Sequence, residues 1–153
     1  MEKRPDSNGN TEIHLDEKID DSTNFQEALG TPDGNIILYC GEVKRINSVG
    51  IRNWIQYFSK LTSAGKTLTL KECSFAIVQQ INDVKGFTCN GTVESIYLPF
   101  VCSETGDEIQ ILKTVQELSV PGYDVNAETC AECPGELEFD DIEEEYFHFL
   151  KRG

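Results

Sequence analysis

The sequence predicts an α/β protein with a small β-rich segment at its C-terminal end, on three observations. Strand-like runs at residues 11–15, 35–40, 66–71 and 91–101 are interleaved with stretches of helical periodicity, the order expected of a mixed or mainly parallel sheet. Hydrophobic residues fill 39% of the 153 positions, enough for a packed core and too many for a disordered chain. The charge is unevenly placed: residues 1–100 carry 10 Lys or Arg and 13 Asp or Glu, residues 101–153 carry 3 and 14, so net −3 gives way to net −11 within a total of −14. Such a shift marks a candidate domain boundary near residue 100.

Residues 1–10 are polar and aperiodic and read as a flexible tail. From Thr11 the pattern T-E-I-H-L alternates, with Ile13 and Leu15 on one side, which predicts a half-buried strand. Residues 21–29 open with Asp-Ser-Thr and space Phe25 and Leu29 four apart, a short helix stopped by Gly30. After a T-P-D-G turn, the run N-I-I-L-Y-C at 35–40 predicts a central strand covered on both faces. Ile51, Trp54, Ile55, Phe58 and Leu61 then form the stripe of an amphipathic helix, with Arg52, Asn53, Gln56 and Lys60 off it and Ser48 at the N-cap position. K-T-L-T-L-K alternates again. Ser74 caps a second helix with Ile77, Ile81 and Val84 on one face and Gly86 as its stop, and residues 91–101 read as a further strand. Residues 108–118 fit a strand by I-Q-I alternation or a helix through Ile111, Val115 and Leu118; the bracketing Gly106 and Pro121-Gly122 favour the strand of a hairpin. E-L-E-F is a short strand, and residues 143–150 predict a terminal helix anchored by Tyr146, Phe147, Phe149 and Leu150.

A net charge of −14 opposes binding to nucleic acid or to an anionic membrane surface. No stretch approaches the roughly 20 apolar residues of a membrane span, and the first residues hold no apolar signal core, so a cytoplasmic protein is expected. In that setting the six cysteines are expected to be reduced, with Cys40, Cys73 and Cys89 as small buried side chains beside apolar runs. No nucleophile triad, metalloprotease pattern or phosphate-binding loop appears, and the expectation is a protein without enzymatic activity.

Two constellations remain. The first is I-N-S-V-G-I-R, residues 46–52, where a serine stands at a helix N-terminus near Lys44, Arg45 and Arg52. The local chemistry allows a plain N-cap, or a phosphoacceptor whose added charge meets free amides and arginine. The strand I-I-L-Y-C, the loop G-E-V-K-R-I-N-S-V-G-I and the helix behind it resemble the STAS domain of anti-sigma-factor antagonists, in which a strand leads into D-S-[ST]-G-[LI] and a helix. The resemblance spans residues 11–100 and implies a mixed sheet with helices packed on one side. It implies a loop that binds a partner protein, a serine kinase that doubles as an anti-sigma factor, and a phosphoacceptor at Ser48, with Asn47, Gly50 and Arg52 beside it. Asn47 stands where the family has Asp, and Val49 replaces the second hydroxyl.

The second constellation is Cys102, Cys130 and Cys133. C-A-E-C at 130–133 and C-S-E-T-G at 102–106 resemble the two knuckles of a zinc ribbon, with Thr105 in place of one cysteine, so residues 101–153 read as an acidic, degenerate zinc-ribbon-like segment. The resemblance implies either no cofactor or one structural zinc held by the three cysteines, with Glu104, Asp107 or His148 as a fourth ligand. The same thiols admit a metal- or redox-sensing protein, against which Glu128, Glu132 and Glu136 disfavour a reactive thiolate. The acidic run 140–145 fits a solvated helix start or a docking surface for a basic partner.

Overall fold

In the computed structural model, which describes residues 1–152, a five-stranded sheet and a three-stranded sheet share one continuous hydrophobic core. The order is β1 (Glu2–Pro5), β2 (Thr11–His14), β3 (Lys18–Ile19), α1 (Phe25–Leu29), β4 (Ile36–Tyr39), β5 (Arg45–Ile46), α2 (Ser48–Ser63), β6 (Leu68–Lys71) and α3 (Phe75–Asp83). β7 (Thr92–Val93), β8 (Ser95–Cys102), β9 (Glu108–Thr114), α4 (Val115–Leu118), β10 (Leu137–Phe139) and α5 (Glu143–Tyr146) follow, the last running into a 3-10 turn at His148–Arg152. The fold is mixed α/β. Among the described residues no helix is long and apolar enough to cross a membrane.

The larger sheet runs β1-β2-β4-β6-β7, with β1 antiparallel and the other neighbours parallel. Its register aligns Ile13 with Leu38 and Leu38 with Leu70, and these three side chains are buried. The alternate positions His14, Tyr39 and Lys71 lie in register on the opposite face and stay half exposed. One face of the sheet is therefore buried in the core, and β4 is central without being buried on both sides as its apolar run predicts. On the open face the His14 and Tyr39 rings stack at 4.5 Å, Lys71 lies over Tyr39, and Glu94 pairs with Lys71 at 3.1 Å. That polar cover lets Ile37 sit on a wet face.

Residues 1–10, expected to be loose, contain β1. All four of its side chains are exposed, so no apolar period announces it; backbone pairing to β2 and an ion pair from the Met1 ammonium to Asp16 at 2.7 Å hold it. Charged side chains and Pro5 suit such an edge. The first helix is shorter than expected: Asp20 to Thr23 form a turn, and Asn24 caps α1 through Glu27 N–H. Residues 108–118 contain both alternatives, a strand to Thr114 and then one helical turn closed by a capping box between Thr114 and Glu117. The terminal helix stops at Tyr146 and tightens into the 3-10 turn.

The seam placed near residue 100 falls inside β8. This strand leaves the parallel sheet through backbone bonds at Cys73, then pairs with β9 along its whole length and with β10 through Phe100, Val101 and Cys102. Ile96, Leu98, Phe100 and Cys102 alternate inward and join the same core as Ile77 and Val78 of α3. Asn82 on α3 donates to Tyr146 O and accepts from Phe149 N–H, both at 2.9 Å, and so ties the acidic C-terminal segment to the front of the molecule.

Candidate functional site

The loop from β4 into α2 is built from backbone contacts. Lys44 and Arg45 donate their amides to Glu17 O, β5 pairs in parallel with β3, and Asn47 N–H reaches Ile19 O at 3.2 Å. At Asn47 the chain is extended, and its side-chain oxygen accepts from Gly50 N–H at 2.8 Å. Asn47 is thus the N-cap of α2, and Ser48 is the first helical residue. The expected capping role of Ser48 falls one residue upstream. An amide oxygen caps as well as a hydroxyl, and Asn is among the best residues for it.

Consequently Ser48 is exposed at the start of a 16-residue helix, with Lys44, Arg45 and Arg52 exposed around the same entrance. Gly50 has a different task. It is buried beneath the β3 turn, where an added Cβ would stand 2.5 Å from Ile19 O and 2.8 Å from its carbonyl carbon. The backbone there cannot recede without breaking the Asn47–Ile19 bond. Gly50→Ala is expected to cost about 1–3 kcal/mol, the usual penalty of forcing a carbon into a packed contact, read as a lower urea midpoint at unchanged slope. Ser48→Ala, at an exposed position outside the cap, is expected to stay within about 0.5 kcal/mol of the parent.

Beside this entrance, α1 and α2 flank an open cleft of about 660 Å³ in which Asp21, Asn24, Asn53, Gln56 and Lys60 stand beside the rings of Phe25 and Tyr57. It runs along the edge of the buried face of α2, where Tyr57 meets Phe25 of α1. The off-stripe positions Asn53, Gln56 and Lys60 were visible in the sequence, but the partner wall from α1 was not. Tyr57 closes the cleft floor, donating to Gly30 O at 2.7 Å; burial pushes its phenol up to about 12.

The second constellation divides. Cys102 and Cys133 form a disulfide with Cα atoms 5.7 Å apart, which corrects the expectation that all six cysteines are reduced. The register of β10 on β8 places Leu137 opposite Cys102, and Ser103 and Glu136 exchange bonds at 2.8 and 2.9 Å, so the turns at 102–107 and 130–136 face each other. Cys130 remains a free thiol beside them, its Sγ donating to Glu132 Oε2 at 2.6 Å. Thr105 lies on the facing turn, its hydroxyl accepting from Asp107 N–H, with Glu104 against Gly135. His148 is elsewhere: its 3-10 turn follows α5, whose Tyr146 hydroxyl bonds Tyr97 O at the opposite end of β8. With two of the three sulfurs joined to each other, the set in this state does not fit a tetrahedral zinc, and among the described residues no group of three or more His, Cys, Asp or Glu side chains is placed to hold a metal.

The other cysteines are buried, as expected. Cys40 and Cys73 stand side by side at the ends of β4 and β6, and burial first, then each other's proximity, pushes the Cys40 thiol well up and keeps it protonated.

Fold and site together define a mixed α/β protein with an exposed serine at a helix entrance and a disulfide-tied pair of turns. No protein family, curated protein or solved structure matched the chain.

Proposed function

We propose that the protein is a non-enzymatic signalling module, similar in kind to an anti-sigma-factor antagonist, that binds a partner protein through the Ser48 loop and the polar side of α2. Its binding is switched by phosphorylation of Ser48, and the partner is a serine kinase that doubles as an anti-sigma factor. The observation that carries this reading is the division of labour at the helix entrance: Asn47 caps and Gly50 packs, which leaves the Ser48 hydroxyl exposed and free of a structural task. A mixed sheet with one buried and one open face is the support that the fold lends to the STAS resemblance of residues 11–100.

A phosphate at this position would add about −1.5 to −2 charges at a helix N-terminus, where the dipole and unpaired amides tolerate it. The fold therefore survives modification, and the change is felt by the partner, which meets a bulky anion where it met a hydroxyl.

The test is affinity capture from a lysate of the source organism with the partner identified by mass spectrometry. Ser48→Ala is expected to retain the captured protein, and Ser48→Asp to weaken its binding by at least tenfold, about 1.4 kcal/mol. Equal binding by both variants would remove the switch and leave a scaffold. A second reading, redox sensing by the C-terminal thiols, is favoured by the Cys102–Cys133 disulfide; it requires partner capture to change when that bond is reduced.

A further inference from the structure

We propose that Cys130 is the reactive thiol through which the buried Cys102–Cys133 disulfide is made and broken, by exchange with small-molecule disulfides and thiols. Access is the first ground. Cys102 is 1% exposed and Cys133 8%, while Cys40, Cys73 and Cys89 are buried; Cys130 alone of the cysteines is open enough to meet a molecule in solution.

Reach is the second ground. Cys133 N–H donates to Cys130 O at 3.1 Å, which closes residues 130–133 into a turn. The ends of such a turn lie within about 7 Å, and a disulfide spans about 4.4–6.8 Å between Cα atoms. Cys133 is therefore in range of Cys130 on its own turn and of Cys102 on the facing one. One sulfur thus has two partners within backbone reach and bonds one at a time.

Oxidation of the reduced protein then proceeds in three displacements. The Cys130 thiolate attacks a small disulfide, forming a mixed disulfide and releasing one small thiolate. Cys133, as thiolate, attacks the Cys130 sulfur, forming Cys130–Cys133 and releasing the second small thiolate. Cys102, as thiolate, attacks the Cys133 sulfur, forming the Cys102–Cys133 bond and returning Cys130 as a thiolate that takes up a proton. Two protein thiols are oxidised and one small disulfide is reduced to two thiols. Reduction runs the same steps backwards. The Glu132 carboxylate accepts from the Cys130 thiol and opposes a thiolate while it does so; Glu132 is exposed, and its side chain turns to solvent before the first displacement.

The experiment follows reduced full-length protein in oxidised glutathione, quenched with acid and mapped by mass spectrometry. The expected result is a transient glutathione adduct on Cys130, then Cys130–Cys133, then Cys102–Cys133, with Cys130→Ser slowing appearance of the final bond at least tenfold. Cys102→Ser, which lacks the last acceptor, is expected to stop at Cys130–Cys133. Circular dichroism of each variant checks that it is folded. Unchanged oxidation of folded Cys130→Ser, a first adduct on Cys133 or Cys102, or failure of Cys102→Ser to form Cys130–Cys133 would each overturn the proposal. None of these outcomes depends on Ser48 or on any partner.

Discussion

Trp54→Ala is expected to destabilise the protein by about 3–5 kcal/mol, a large share of the 5–15 kcal/mol typical of a natural domain. Trp54 is 0% exposed, stacks on Phe87 at 4.6 Å, meets Phe58 and Phe25 edge-on at 4.9 and 6.2 Å, and donates its indole N–H to Phe87 O at 2.9 Å. The truncation removes the ring that joins α2, α1 and the segment after α3, and leaves a cavity that several rigid aromatic neighbours cannot collapse to fill. Trp54→Phe separates the two contributions: it keeps much of the volume but strands the Phe87 carbonyl, and is expected to cost about 1–3 kcal/mol. Trp54 is the single tryptophan of the chain, so the measurement is denaturant unfolding followed by circular dichroism rather than by intrinsic fluorescence. A loss under 1 kcal/mol for the alanine variant would show that the aromatic cluster is not the centre of the core.

Opening the Cys102–Cys133 disulfide is expected to cost about 3–4 kcal/mol on the loop-entropy account for a separation of 31 residues. For a chain of this size that corresponds to a fall in melting temperature of roughly 6–16 °C. The bond matters because the segment it holds, 119–136, has little regular structure beyond a 3-10 turn at Val125–Ala127 and is otherwise held by a few contacts, among them Val125, Leu137 and the Lys113–Glu128 ion pair at 3.0 Å. Thermal unfolding with and without reductant, and of Cys102→Ala/Cys133→Ala, measures it. Equal stability of the oxidised and reduced protein would mean that the turns are held without the bond.

Much of the architecture was legible because its signals are local. The stripe on α2, the cap at Ser74 and the alternation of β2 and β6 each depend on residues within one element, and apolar spacing reports them directly. The order of strands and helices followed from the same signals. What local signals miss is backbone pairing between exposed residues: β1 carries four outward side chains, and β3 and β5 are two residues each, so their existence rests on partners elsewhere in the chain.

At the candidate site the division is finer. Ser48, Asn47, Gly50 and Arg52 stand together by sequence alone, but which of them caps, which packs and which is left exposed was decided by β3, whose Ile19 carbonyl receives Asn47 and crowds Gly50. The three cysteines announced two turns, and only the antiparallel register of β10 on β8 chose Cys133, not Cys130, to face Cys102. The charge shift at residue 100 was real as composition and silent as architecture: surface charge follows exposure, whereas a shared core follows which inward side chains meet. By itself the sequence determined those elements whose own side chains carry a period, their order and the residues worth suspecting. The tertiary structure decided the pairing, because a hydrogen bond or a disulfide needs two groups to arrive at one place, and no single segment carries that information.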